Sequence, residues 1–129
     1  MIYLDTSAAL KLVKPEPETA ALNAWLAQRA DVPKVSSRLL RIELHRAVLR
    51  GAPARLPQAQ RLLMWIDLVS IDAVAGTAEV IGGTQLRSLD AIHLASAQQL
   101  EGELDVLVTY DERMLAAARA LGLSVSHPT

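Results

Sequence analysis

The sequence predicts an α/β fold, a three-layer α/β/α sandwich built on a short, mainly parallel sheet, and three observations carry that prediction. Two aliphatic runs, Ile2-Tyr3-Leu4 and Val106-Leu107-Val108, have the length and composition of strands buried on both faces. Segments of helical periodicity lie between and after them, so each connection has room for a helix that crosses back over the sheet. Apolar residues make up 51% of the chain but aromatic residues only 3%, which implies a core of Leu, Ile, Val and Ala.

In chain order, Ile2 to Leu4 is a strand ended by Asp5-Thr6-Ser7, whose hydroxyls suit the cap of a helix over Ala8 to Val13. Pro15 and Pro17 bracket a turn, after which Ala20, Leu22, Trp25 and Leu26 form one apolar helical stripe with Trp25 as a core residue. Val32 to Val35 reads as a second strand, in which Pro33 implies an edge position or a late start. Ser36 or Ser37 opens a helix through Val48, with Leu40, Leu44, Ala47 and Val48 on one face and Gly51 and Pro53 at its end. Pro57 starts another helix toward Asp67. A strand at Val69 to Ile71 follows, then a shorter helix near Ala73 to Val80 that stops at Gly82-Gly83. Ser88 to Leu100 is helical, with Asp90 in its first turn. Val106 to Val108 ends on Thr109-Tyr110-Asp111, Met114 to Leu121 is a helix closed by Gly122, and Leu123 to Val125 is a final strand.

A length of 129 residues suits one core, so residues 1–129 are expected to form a single domain. Thirteen basic against fourteen acidic residues leave a net charge of −1, which gives no overall attraction to nucleic acid but permits a local basic surface. Cysteine is absent, so disulfides and thiolate chemistry are excluded. The N-terminus lacks the basic segment of a signal peptide, and charges break every apolar run well before the roughly 20 residues of a membrane span; a cytoplasmic protein is expected. No glycine-rich phosphate loop is present, and His45, His93 and His127 lack zinc-ligand spacing.

The chemistry points to carboxylates. Asp5 and Asp111 stand just beyond aliphatic strands, where parallel α/β sheets gather ligands. Glu43 and Asp90 lie among apolar residues on helices that must pack on the sheet, where an unpaired carboxylate is costly. Read singly, the aspartates are helix caps and Glu43 is a partner for a nearby arginine. Read together, they repel one another unless a divalent cation compensates them, and hard oxygen ligands suit Mg²⁺ or Mn²⁺. Such an ion would support water attack on a phosphodiester.

The segments IYLDTSAALKL, SSRLLRIELHRAVLR, LRSLDAIHLASAQQL and LVTYDERMLAAARALGLSV, in this order, span nearly the whole chain. They resemble the PIN-domain ribonucleases, particularly the VapC-like toxins of type II toxin–antitoxin modules. That resemblance implies a metal-dependent endoribonuclease in which Asp5, Glu43 and Asp90 are the principal metal-site acids and Asp111 is a fourth, more variable member. It also implies that Ser7 and Thr109 orient the acids or hold waters, that the protein forms a homodimer, and that a cognate antitoxin inhibits it.

Six arginines between Arg38 and Arg61 face the single acid Glu43; of these, Arg38, Arg41, Arg46 and Arg50 are candidates to neutralise RNA phosphates. His93, three residues beyond Asp90, reads as a core histidine or one that supports the acids, not as a general base. Trp65, within Leu62-Leu63-Met64-Trp65-Ile66, reads as helix packing or a subunit contact, and this run has more apolar surface than one helix face needs. Two other functions fit less of the pattern: a metal-dependent phosphatase using Asp5 as a nucleophile, and a non-catalytic RNA- or protein-binding module.

Overall fold

The computed structural model describes all 129 residues. Its strands are β1 (Ile2–Leu4), β2 (Lys34–Ser37), β3 (Ile66–Val69), β4 (Val106–Val108) and β5 (Val125–Ser126). Its α-helices are α1 (Thr6–Val13), α2 (Thr19–Ala27), α3 (Leu39–Gly51), α4 (Leu56–Leu63), the single turn α5 (Ala75–Ala78), α6 (Ser88–Gln99) and α7 (Glu112–Ala120), with a short 3₁₀ turn at Pro53–Arg55. All strand pairs are parallel, in the order β3-β2-β1-β4-β5. The chain therefore builds outward from β1 to one edge, then returns to β1 and builds to the other. That reversal lies between β1 and β4, and in open parallel sheets it opens a crevice at the carboxyl ends of the strands.

β1 alternates between the two faces of the sheet, as the two-residue period of a strand requires. Ile2 and Leu4 join Ala8, Ala9, Leu22, Leu40, Leu44, Val48 and Leu63 in an aliphatic cluster under the helices α1 to α4. Tyr3 points the other way, with Val35, Leu94, Leu107, Met114 and Ala118 under α6 and α7. At the turn after α1, Lys11 Nζ donates to Glu16 and Glu18 at 3.0 and 2.9 Å and lies over the Tyr110 ring. No helix is long and apolar enough to cross a membrane.

Several boundaries differ from those the sequence suggests. β2 begins after Pro33, in agreement with a late start, but it is interior to the sheet rather than at its edge. Ser36 and Ser37 belong to β2, and α3 starts at Leu39, whose N–H donates to Ser37 Oγ at 3.1 Å. α4 stops at Leu63, so β3 occupies Ile66–Val69, earlier than the Val69-to-Ile71 strand read from the sequence. Asp5 itself, not a hydroxyl, caps α1, through Ala8 N–H to Asp5 Oδ1 at 3.0 Å. Trp25 is half-buried against the aliphatic core with the Arg29 guanidinium 4.0 Å from its ring, whereas Trp65 is 81% exposed.

Candidate metal centre

Asp5 is carried to the crevice by the end of β1 and is 4% exposed. Its two oxygens are held from both sides of the strand reversal. Ser7 Oγ donates to Oδ1 at 2.6 Å, Ala8 N–H donates to the same oxygen, and Thr109 Oγ1, just beyond β4, donates to Oδ2. Ser7 Oγ in turn accepts from Tyr110 N–H at 2.8 Å, so the ends of β1 and β4 are clasped together. Burial nevertheless pushes the Asp5 carboxyl above its ordinary range, against the lowering effect of His93 and these donors.

Glu43 lies on the second turn of α3. Its Oε1 accepts from Thr6 Oγ1 and from His93 Nε2, both at 2.7 Å. Burial alone would raise this carboxyl, but the hydrogen bonds from His93 and Thr6 more than offset it, and Glu43 is held below its ordinary range. Asp90, in the first turn of α6, is half-buried and has no hydrogen-bond donor acting on it. Burial raises its carboxyl first, and the charges of Asp111, Glu43 and Asp5 raise it further, with only His93 opposing. Asp111 caps α7 by accepting from Met114 N–H at 2.9 Å.

A cleft of about 600 Å³ is lined by Glu43, Asp90 and Asp111 together with Arg87, Ser88, Leu89 and Arg113. Asp5 lies behind it, close enough for its charge to act on Asp90. The fold thus brings all four candidate acids to one place, although no three His, Asp or Glu side chains meet as a preassembled ligand set. The hydrogen bonds above supply a physical reason: Asp5, Glu43 and Asp111 are each held by donors of their own. The donor set is entirely carboxylate oxygen, and the mutual repulsion at Asp90 is the condition that a hard divalent cation relieves. The donor chemistry therefore suits a hard divalent cation.

Ser7 and Thr109, which the resemblance marks as orienting residues, contact both oxygens of Asp5. Arg38, Arg41, Arg46 and Arg50 are exposed at or along α3 and do not line the cleft. Arg87 and Arg113 do line it, and neither takes part in an ion pair. Sequence reasoning passed over both, although each stands within three residues of a cleft acid in LRSLD and YDERM. It also passed over Thr6 and Tyr3, whose partners are far away in the chain.

A model of the PIN domain matches residues 2–120. This chain belongs to the PIN-domain family. Two VapC ribonucleases of Mycobacterium tuberculosis are similar to this PIN domain over nearly their whole length. Ribonuclease VapC47 (strain CDC 1551 / Oshkosh) is 45% identical over 132 residues, covering 99% of this chain and 97% of that protein. Ribonuclease VapC46 (strain ATCC 25618 / H37Rv) is 44% identical over 131 residues, covering 99% and 98%. Among solved structures, VapBC2 from Rickettsia felis bound to a DNA fragment from its promoter shares the fold with this PIN domain at a TM-score of 0.61, with 18% identity and full coverage of both chains.

Proposed function

We propose that this PIN domain is a Mg²⁺- or Mn²⁺-dependent endoribonuclease and the toxin of a toxin–antitoxin module. The convergence of Glu43, Asp90 and Asp111 on one cleft, with Asp5 behind them, carries the reading. The kinship with VapC ribonucleases supplies RNA as the substrate class. When bound, the cation supplies a Lewis acid that activates water and offsets charge on the phosphoryl oxygens. Asp5, Glu43, Asp90 and Asp111 would hold it, with Asp5 oriented by Ser7 and Thr109 and Glu43 by Thr6 and His93. Arg87 and Arg113, at the same cleft, are placed to bind backbone phosphates and position the strand. The α3 arginines would serve a longer stretch of RNA outside the cleft.

The phosphatase alternative loses ground in this geometry. A nucleophilic Asp5 needs a second acid beside it to serve the leaving group, and its hydrogen-bonded side-chain neighbours are the hydroxyls of Ser7 and Thr109. The test is cleavage of defined structured and single-stranded RNAs by wild type and Asp90→Asn, in EDTA, Mg²⁺ and Mn²⁺. Internal cuts that require metal and vanish in the variant are expected. RNA that is bound but left intact under every condition would select the non-catalytic binding module instead. Adding the product of the adjacent gene is expected to suppress cleavage, as an antitoxin would.

A homodimer is part of the same reading. Met64 and Trp65 follow α4 at 84% and 81% exposure, an apolar pair that a second copy would cover. Light scattering across a dilution series is expected to show a dimer that Trp65→Ser dissociates; a wild-type monomer at every concentration would reject it.

A further inference from the structure

The acids do not account for one buried polar chain that runs from the sheet into the cleft. Tyr3 Oη lies 2.8 Å from His93 Nδ1, and His93 Nε2 lies 2.7 Å from Glu43 Oε1 and 3.1 Å from Thr6 Oγ1. Tyr3 is fully buried and His93 is 2% exposed. The two rings meet edge to face, 5.9 Å apart at 86°. We propose that Tyr3 and His93 are positioning residues that fix the orientation of the Glu43 carboxylate, committing Oε1 to the protein and leaving Oε2 to the cleft. This inference rests on the metal-centre reading for its functional consequence and on hydrogen-bond chemistry alone for its structure.

An ionised carboxylate can only accept, so the proton between His93 and Glu43 sits on Nε2. A ring whose single proton is on Nε2 offers Nδ1 as an acceptor, and the Tyr3 hydroxyl is the donor in place. Burial drives the Tyr3 phenol far above its ordinary range, so it keeps its proton and its donor role. Glu43 Oε1 receives two donors, from Thr6 and His93, while Oε2 receives none. A second partner that holds a histidine in one tautomer is the arrangement by which outer residues orient a site's ligands. The packing itself does not call for it: the 13 buried residues of the cluster on the opposite face of the sheet are all aliphatic, and buried polar groups are costly unless every one is satisfied.

The test combines tautomer assignment with Mn²⁺ titration. In ¹⁵N spectra of the metal-free protein, His93 is expected as the Nε2–H tautomer in wild type and as a mixture in Tyr3→Phe. Mn²⁺ affinity is expected to fall about 10–100-fold in His93→Leu, and His93→Gln, which retains an N–H donor, should recover most of the loss. RNA cleavage should lose kcat with KM little changed. The double variant Tyr3→Phe/His93→Leu replaces both partners with apolar groups, so it leaves no orphaned hydroxyl and is the variant whose folding is checked by thermal melting. If it melts as wild type does and binds Mn²⁺ with wild-type affinity, the relay is overturned; so is it if wild-type His93 shows the Nδ1–H tautomer. Wild type that shows Nε2–H but binds no Mn²⁺ would retain the relay and reject the metal-centre reading.

Discussion

Asp5, behind the cleft, and Asp90, on its wall, hold the same side chain in opposite surroundings. Asp5 is buried, caps α1 and has both oxygens filled by Ser7, Ala8 and Thr109. Asp90 is half-buried, has no donor, and feels three like charges. Both carboxyls are pushed above their ordinary range, chiefly by burial, but only Asp5 is tied into the fold. The contrast separates two kinds of site residue. On the proposed function, one serves the fold as well as the chemistry, and the other is held against like charges that a bound cation would relieve.

Substitution gives the largest effects. Asp90→Asn and Asp5→Ala are both expected to reduce metal-dependent RNA cleavage by more than the roughly 100-fold that outer partners of a ligand carry. Their melting behaviour should diverge. Asp5→Ala loses a helix cap and leaves the hydroxyls of half-buried Ser7 and buried Thr109 without their acceptor, a cost of about 2 kcal/mol. Asp90→Asn removes like-charge repulsion and should melt at or above the wild-type temperature. Denaturation curves of the two variants that superimpose would erase the distinction.

Removing a donor instead of an acid is a smaller intervention on the same contrast. Thr109→Val keeps the shape of the side chain but leaves Asp5 Oδ2 bare, and should destabilise the protein by about 1–3 kcal/mol. Ser88, beside Asp90 in the cleft, makes no hydrogen bond to it, and Ser88→Ala should be close to neutral. Urea unfolding midpoints of the two variants decide the matter; a Ser88→Ala loss equal to that of Thr109→Val would mean that Asp90 is tied into the fold after all.

The smallest effect is on pH dependence. Because the folded-state pKa of Asp5 and of Asp90 is raised, the folded chain binds these protons more tightly than the unfolded chain. Stability therefore falls as pH rises from the ordinary carboxylate range through the raised values, then levels off. Glu43 works in the opposite sense: its contribution is present above the ordinary glutamate range and is lost as pH falls through its lowered value. A cation needs the deprotonated acids, so Mn²⁺ affinity should climb through the same window as Asp5 and Asp90 ionise. In Asp90→Asn that climb should be shallower; an unchanged slope in calorimetric titrations would remove Asp90 from the ligand set.

How much of this was legible in the sequence follows from the kind of signal each part carries. β1 and β4 were plain because strands buried on both faces of a parallel sheet are unbroken aliphatic runs. β2 was displaced because half of it is serine, and β3 because its IDLV, with Asp67 exposed, reads as the tail of the preceding Leu-rich helix. The acids stood out by position, after strands and on helices. Tyr3 and Thr6 did not, because what makes them part of the site is a neighbour elsewhere in the chain: Thr6 meets Glu43 across 37 residues and Tyr3 meets His93 across 90. His93 was legible as a supporting residue, but its partners were not.

The clasp at Asp5 also dictates when the site can exist. Its donor Thr109 is 104 residues away, and Tyr110, which secures Ser7, is 103 residues away. Closing so long a loop is among the entropically expensive steps of folding, and it cannot occur until β4 has taken its place beside β1. A ribosome that has made α1, α3 and α6 has already made Asp5, Glu43 and Asp90, yet the first of these still lacks the hydroxyl that holds its second oxygen. The surroundings of Asp5 are thus completed only late in synthesis, once β4 and the residues just beyond it have been made.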